Sequence, residues 1–327
     1  MAVTEYKIET LDTCPNCGAA NPSAWTSSAD ILLRNDDFEF AYSKCRSCNI
    51  YFQQTRPTEE TIGHFYRGDY GPYSRAEKSK PPFSKLHKRL LKLSRMLTGE
   101  TAAAKSIKSI FSHHLGAPDS TLFDFGCGAG KLLDDQKHKF GCQTIGMDFN
   151  ESLVEAAGKR GHRAYPASVE GWTNIADDSV DLIVMNHVLE HLYRPRDVFL
   201  QMFRVLKTNG ALLISTPNPA GFSAQTYLSD WFALDSPRHI MLYPPATAEA
   251  LLADCGFQDI RVIALPVTKD IVRSKARREG RASPWPLNAD GIQAIKTAFL
   301  ARREAAAGRF DQFTLLAHKP AGERKNP

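Results

Sequence analysis

The stretch Thr121–Leu133, TLFDFGCGAGKLL, decides the fold. An apolar run (Leu122, Phe123, Phe125) ends at Gly126-Cys127-Gly128-Ala129-Gly130, and a helical pattern starts at Lys131. Strand, glycine turn and helix in that order build a nucleotide-binding crevice at the end of a parallel strand. Glycine lets the backbone turn sharply and approach a ligand with no Cβ in the way. Such turns usually receive a pyrophosphate, because helix N-termini favour anions. Asp124, two residues ahead of the first glycine, would repel phosphate and suits a cation. The spacing is G-x-G-x-G, whereas dinucleotide binders carry G-x-G-x-x-G.

A nucleoside with a positive head therefore fits better than NAD, and S-adenosylmethionine (SAM) carries both a sulfonium and an ammonium. Three more stretches follow in order: IGMDFN (Ile145–Asn150), DDSVDLIVMNHVLEHL (Asp177–Leu192) and LKTNGALLISTPN (Leu206–Asn218). Together the four resemble class I SAM-dependent methyltransferases over roughly Ala102–Pro320. The resemblance implies an α/β, Rossmann-like seven-stranded sheet with the last strand antiparallel, filling a catalytic domain at 102–320. It implies SAM as cofactor, held at the turn by Asp124, Gly126, Cys127, Gly128 and Gly130. Asp148 stands some twenty residues past the glycines, where an acidic residue binds ribose hydroxyls. Its other reading is the cap of a helix over Glu151–Lys159. Phe149 is placed against adenine. Ser168 and Val169 occupy the position where the class often has an Asp for the adenine amino group. Trp172 covers the ring or belongs to the core. Asn186 ends the fourth strand, on the side where ligands bind in open α/β sheets.

The chain has 327 residues, enough for one large domain and a small one. Its opening, MAVTEYKIET, lacks the layout of a signal peptide, and no apolar run reaches the length of a membrane span. A cytoplasmic protein is expected. Cysteines Cys14, Cys17, Cys45 and Cys48 form two C-x-x-C pairs. In a cytosolic chain that pattern reads as metal rather than disulfide. Four thiolates suit structural Zn²⁺, so residues 1–56 read as a zinc-ribbon-like region. Gly18 and Asn49 follow the second cysteine of each pair, where a left-handed backbone is often needed. Strand-like runs at Asp30–Leu33 and Phe38–Tyr42 fill the loop between the pairs.

Residues 57–101 read as a connector. Thr58 opens a helical turn, and His64, Phe65, Tyr66, Tyr70 and Tyr73 follow as an aromatic cluster. Zinc pairs followed by such a segment resemble the N-terminal region of bacterial methyltransferases acting on sugars or other small molecules. The resemblance implies a region that helps enclose substrate; the other reading is simple packing between domains. Lysines and arginines dominate Glu77–Ser109, with Phe83, Leu86, Leu90, Leu93 and Leu97 at helical spacing. The basic helix 82–98 would touch an anionic membrane surface or a phosphate-bearing substrate, or pack with a solvated face.

His187, Glu190 and His191 form H-x-x-E-H, the spacing of an inverted zinc-protease helix. The protease reading is rejected, because they directly follow a buried strand and Tyr193-Arg194-Pro195 interrupts any helix behind them; with no third ligand at the expected spacing, no catalytic metal is expected here. His187 and His191 remain candidates for contact with substrate. Residues 219–238, rich in aromatics, suit a lid over the acceptor. His239 lies in LDSPRHIMLY (Leu234–Tyr243), which resembles a recurring segment of zinc-region methyltransferases. It is the first choice for a general base, since a neutral imidazole takes a proton near pH 7; the other reading is a histidine that fixes the loop. Residues 268–290 read as a basic, mobile excursion and 321–327 as a disordered tail. The expected reaction is methyl transfer to a small molecule, with a sugar or glycolipid precursor of surface polysaccharide, nucleotide- or lipid-linked, as preferred acceptor. An RNA methyltransferase is the first alternative, disfavoured because the basic runs are not interleaved with stacking aromatics. A non-catalytic SAM-binding protein is the second.

Overall fold

A computed structural model describes residues 6–30, 38–66, 96–280 and 291–321. The N-terminal part contains β1 (Ile8–Thr10), β2 (Ser23–Ser28), β3 (Phe40–Lys44), β4 (Tyr51–Gln53) and β5 (Thr55–Pro57). Helix α1 (Glu100–Leu115) leads into β6 (Thr121–Phe125), α2 (Lys131–Phe140), β7 (Gln143–Asp148), α3 (Glu151–Lys159) and β8 (Arg163–Pro166). The chain continues through α4 (Val169–Thr173), β9 (Val180–Asn186), α5 (Pro195–Val205), β10 (Leu206–Pro217) and α6 (Phe222–Tyr227). It ends with β11 (Met241–Leu242), α7 (Pro245–Asp254), β12 (Gln258–Leu265), α8 (Thr268–Arg278), α9 (Gly291–Ala306) and β13 (Gln312–His318).

The large sheet has seven strands in the order β12-β13-β10-β9-β6-β7-β8. Strands β6 to β10 run parallel, and β13 is antiparallel to both β10 and β12. This is the Rossmann-like sheet expected from the sequence. From β6 the chain winds outward through β7 and β8, then returns to β9 on the other side of β6. That reversal opens a crevice at the C-terminal ends of β6 and β9. Strand residues alternate between two cores, as the pleat requires. Phe123, Phe125, Ile183, Met185, Leu212 and Ile214 face one, and Leu122, Leu182, Val184, Ala211 and Leu213 face the other. Among the described residues, no helix is long and apolar enough to cross a membrane.

The N-terminal region is more deeply joined to the catalytic part than a boundary at residue 56 suggests. Strand β11 pairs with β4, Met241 opposite Phe52 and Leu242 opposite Tyr51, completing a four-stranded sheet β11-β4-β3-β2. Cys14, Cys45, Ile50 and Phe52 share a core with Phe123 and Phe125. The segment expected as a lid is part of this junction. Tyr227, Trp231 and Leu234 pack with Phe40, Tyr42, Tyr51 and Phe65, so its aromatics fill a core instead of covering a cleft. Residues 268–280 likewise depart from the expected excursion, because α8 buries Asp270, Ile271, Ser274 and Ala276. Its arginines Arg273 and Arg277 lie over the Phe232 ring at 4.3 and 4.9 Å. Tyr70, Tyr73, most of the basic helix 82–98, residues 281–290 and all but the first residue of the tail lie outside the described residues.

One buried ion cluster locks the junction. The Arg238 guanidinium donates to both carboxylate oxygens of Asp30 at 2.9 Å, to Asp235 Oδ1 at 2.8 and 3.0 Å, and to the Phe65 carbonyl at 3.0 Å. Arg238→Leu leaves the Asp30 carboxylate buried without its bidentate partner. It should cost about 3–5 kcal/mol in urea unfolding, the range for breaking a buried pair from one side.

Candidate active site

The glycine turn sits where β6 ends. Gly126 has φ 84°, and a Cβ there would meet Val188 Cγ2 at 2.3 Å. Gly130, also left-handed, would meet the His162 ring at 2.9 Å. These two glycines are demanded by protein packing. Gly128, at φ 52°, has open space before it and is the one that leaves room for a ligand. The Cys127 side chain turns inward against Gly146, and burial with Asp124 and Asp148 nearby pushes its thiol up to about 12.

Two carboxylates stand behind the turn. Asp148 Oδ2 accepts the Gly128 N–H at 2.8 Å and Oδ1 accepts the Asn150 N–H at 2.9 Å. The cap of α3 is Asn150, whose Oδ1 accepts from Ser152 and Leu153 N–H, so the capping reading of Asp148 passes to its neighbour. Asp124 accepts no hydrogen bond from the described residues. Burial, aided by the Asp148 charge, pushes its carboxyl up to about 7. Phe149 is 59% exposed and meets Phe125 edge-on. Ser168 caps α4 by accepting the Gly171 N–H at 3.3 Å, and Val169 is exposed beside it. Trp172 stacks on Phe125 at 5.6 Å as a core residue.

Across the crevice, Asn186 ends β9 and three histidines follow around one carboxylate. Glu190 is fully buried, accepting from His187 Nδ1 at 3.1 Å on Oε1 and from the Thr216 hydroxyl at 3.0 Å on Oε2. Burial alone would raise its carboxyl, but the His187 hydrogen bond, with the positive charge the surrounding histidines carry when protonated, holds it at about 2. His187 adopts a left-handed backbone (φ 55°), a conformation in which histidine is enriched among non-glycine residues. Its side chain is 35% exposed, with Nδ1–H on Glu190 and Nε2 left as an acceptor. His191 Nδ1 lies 2.9 Å from both the Arg238 carbonyl and the Tyr66 hydroxyl. Burial and the nearby His239 push its imidazole down to about 4, which leaves it neutral. His239 Nδ1 donates to the Ala233 carbonyl at 2.7 Å.

Residues 93–262 match the family described as Methyltransferase domain. The chain is 30% identical over 200 residues to a "Probable S-adenosylmethionine-dependent methyltransferase" of Mycobacterium tuberculosis, covering 54% of this chain and 67% of that one. This chain belongs to the SAM-dependent methyltransferases. The enzyme is also 29% identical over 182 residues to the ubiquinone biosynthesis O-methyltransferase of Xanthomonas oryzae pv. oryzae, covering 51% of this chain and 76% of the other. Geranyl diphosphate C-methyltransferase from Streptomyces coelicolor A3(2) superposes with a TM-score of 0.49 at 18% identity, over 80% of this chain and 97% of that one.

The methyltransferase thus brings Asp124, Gly126, Gly128, Asp148 and Phe149 to one side of the crevice and His187 to the other. Val188 connects the two, since it packs on Gly126. His239, the first choice for a base from the sequence, lies behind His187 with Nδ1 committed to a carbonyl. Sequence reading underrated Glu190 and Tyr66. The Glu190 position, three residues past His187 on one short turn, was the available signal. Tyr66 reaches His191 from the N-terminal region, and no local pattern announces that.

The four N-terminal cysteines also converge. Their sulfurs all lie within 4.8 Å of one another, with Cys14–Cys48 and Cys17–Cys45 at 3.6 Å. Gly18 and Asn49 are left-handed, as the sequence suggested, and each donates its N–H back to the first cysteine carbonyl of its pair.

A carboxyl raised on folding binds its proton more tightly in the native state, so ionising it opposes folding. That cost is absent below the ordinary value of 3.8, grows as pH rises, and is complete above about 7. Asp124→Asn should therefore stabilise the ligand-free enzyme at pH 8, by up to about 4 kcal/mol, with the gain vanishing towards pH 4. Urea unfolding across that pH range measures it.

Proposed function

We propose that this enzyme methylates a hydroxyl or an acidic carbon of a small, sugar-like acceptor, with His187 as general base. The preferred acceptor is a sugar or glycolipid precursor of surface polysaccharide. The observation that carries the reading is the His187–Glu190 pair, set on the loop that packs against the glycine turn. Glu190 fixes the ring with Nδ1 protonated and Nε2 bare, and stabilises the imidazolium that forms when Nε2 takes a proton. The polar lining offered by Asn186, His191 and Tyr66 suits an acceptor with several hydroxyls. The resemblance to an O-methyltransferase is consistent with a hydroxyl acceptor.

SAM, when bound, supplies an electrophilic methyl carbon on a positively charged sulfur. The donor set fits it. Asp124 is a buried carboxylate without a hydrogen bond from the described residues, and a cationic head would relieve its repulsion with Asp148. Gly128 gives the backbone access. Each Asp148 oxygen accepts one main-chain N–H and keeps a lone pair for a ribose hydroxyl. Phe149 offers an exposed ring to adenine, with Ser168 and Val169 at its edge. Cys127 and Gly130 contribute backbone shape.

With SAM bound, the acceptor atom would take the methyl as sulfur leaves, and His187 Nε2 would take the acceptor proton. The chain's work is to hold the acceptor in line with that carbon and to keep water out. Cys14, Cys17, Cys45 and Cys48 would hold a structural Zn²⁺. Tetrahedral zinc thiolates place sulfurs about 3.8 Å apart, close to the spacing of the two short pairs. Zinc there would brace the ends of β3 and β4, whose sheet packs against Phe65, the neighbour of Tyr66.

Incubation with labelled SAM should transfer label to nucleotide- or lipid-linked sugars, and transfer only to RNA would overturn the acceptor assignment. His187→Gln should lower kcat by about 10²–10⁴-fold, the span of general-base contributions, while SAM affinity stays constant in calorimetry.

A further inference from the structure

Behind the His187–Glu190 pair lies a second constellation. A Glu190 carboxylate oxygen, a ring nitrogen of His191 and a ring nitrogen of His239 lie within 4.8 Å of one another. Both histidines have Nδ1 placed on a main-chain carbonyl, Arg238 for His191 and Ala233 for His239. A carbonyl can only accept, so Nδ1 carries a proton in each ring, and in the neutral ring Nε2 is a bare lone pair. His239 is only 6% exposed, and its Nε2 faces Glu190 Oε1 at 3.8 Å and Asp235 Oδ2 at 3.9 Å. A lone pair aimed at two buried carboxylate oxygens is repulsive, and low dielectric magnifies it. A proton on Nε2 would turn both contacts into ion pairs, though neither distance allows a hydrogen bond. A cation of higher charge seated among these atoms would make every one of the contacts attractive.

We infer that Glu190, His191 and His239 bind a divalent first-row transition-metal ion, with Asp235 Oδ2 beside them as a fourth donor. Two imidazoles with carboxylate select that class over Mg²⁺ or Ca²⁺, which take oxygen ligands. The outer contacts match it as well. Metal-bound histidines donate their other ring N–H to a carbonyl or carboxylate, and ligating carboxylates are themselves hydrogen-bonded. Here the carbonyls are those of Arg238 and Ala233, and the Thr216 hydroxyl donates to Glu190 Oε2. Bond lengths of about 2.0–2.2 Å bring ligand atoms to roughly 3–3.5 Å apart, so the group closes by about an ångström on binding. His191, partly exposed, is the side from which an ion enters. The donors are nitrogen and oxygen, unlike the four sulfurs at Cys14, Cys17, Cys45 and Cys48.

His187 shares Glu190 Oε1, so an ion there draws charge from that pair and lowers the basicity of His187. That consequence rests on the acceptor reading above; the site itself does not.

The test is titration of the chelator-stripped full-length enzyme with Co²⁺, followed by absorbance. Wild type should take up an equivalent with weak visible bands and no sulfur charge-transfer, separate from the intense thiolate signal of the cysteine quartet. His239→Asn should lose the nitrogen–oxygen equivalent and keep the thiolate one. His191→Gln, at the more exposed ligand, should weaken the same equivalent at least tenfold, the usual lower bound for disturbing a metal's ligand shell. Retained SAM affinity in calorimetry shows that each variant is folded. Saturation of wild type with thiolate signal alone overturns the site, as does an unchanged second equivalent in both variants. Transfer of label only to RNA, with the second equivalent intact, overturns the proposed function and leaves the site standing.

Discussion

A carboxylate taken wholly out of water organises the catalytic end of this enzyme. Glu190 must be compensated where it lies, because an unpaired buried charge costs several kcal/mol. Its side chain gathers the end of β9 through His187 and the end of β10 through Thr216. Its carbonyl accepts the Ile240 N–H at 2.9 Å, which draws in the strand that completes the N-terminal sheet. One residue thus ties together three segments that are remote in sequence.

The same economy links the N-terminal region to the chemistry. Its sheet is finished by β11, and the Arg238 guanidinium reaches across to Asp30. Two residues either side of Arg238 serve this junction, with Ser236 donating to the Ser28 carbonyl and Ile240 filling the shared core. Tyr66 then stands against His191. A metal on the four cysteines would therefore stiffen the sheet on which Phe65, the neighbour of Tyr66, packs. This placement explains why aromatics expected to cover a cleft are buried: Trp231 and Tyr227 pack onto the N-terminal sheet through Phe40, Tyr42 and Tyr51.

Opposite them, Asp124 and Asp148 store a repulsion. Both are buried, and among the described residues only Asp148 has main-chain donors. Strain of this sort persists because surrounding structure fixes it, and a bound cation would release it. Ligand-free stability would then be exchanged for affinity for a charged ligand, a common trade at functional sites.

Much of this was legible from residue order alone. Period-2 apolar runs, glycines and caps are local signals, so α2 and α3 begin and end where the pattern placed them, and the seven-stranded sheet follows from four stretches read together. The two C-x-x-C pairs and the left-handed residues after them are local as well. What the chain order could not reveal is which remote side chains meet. His239 joins Glu190 and His191 where β11 docks on β4, and α8 is held by its buried Ile271, Ser274 and Ala276 together with the Phe232 ring beneath its arginines. Spacing encodes neighbours within an element, whereas a buried charge chooses its partners from whatever the packed core brings within reach.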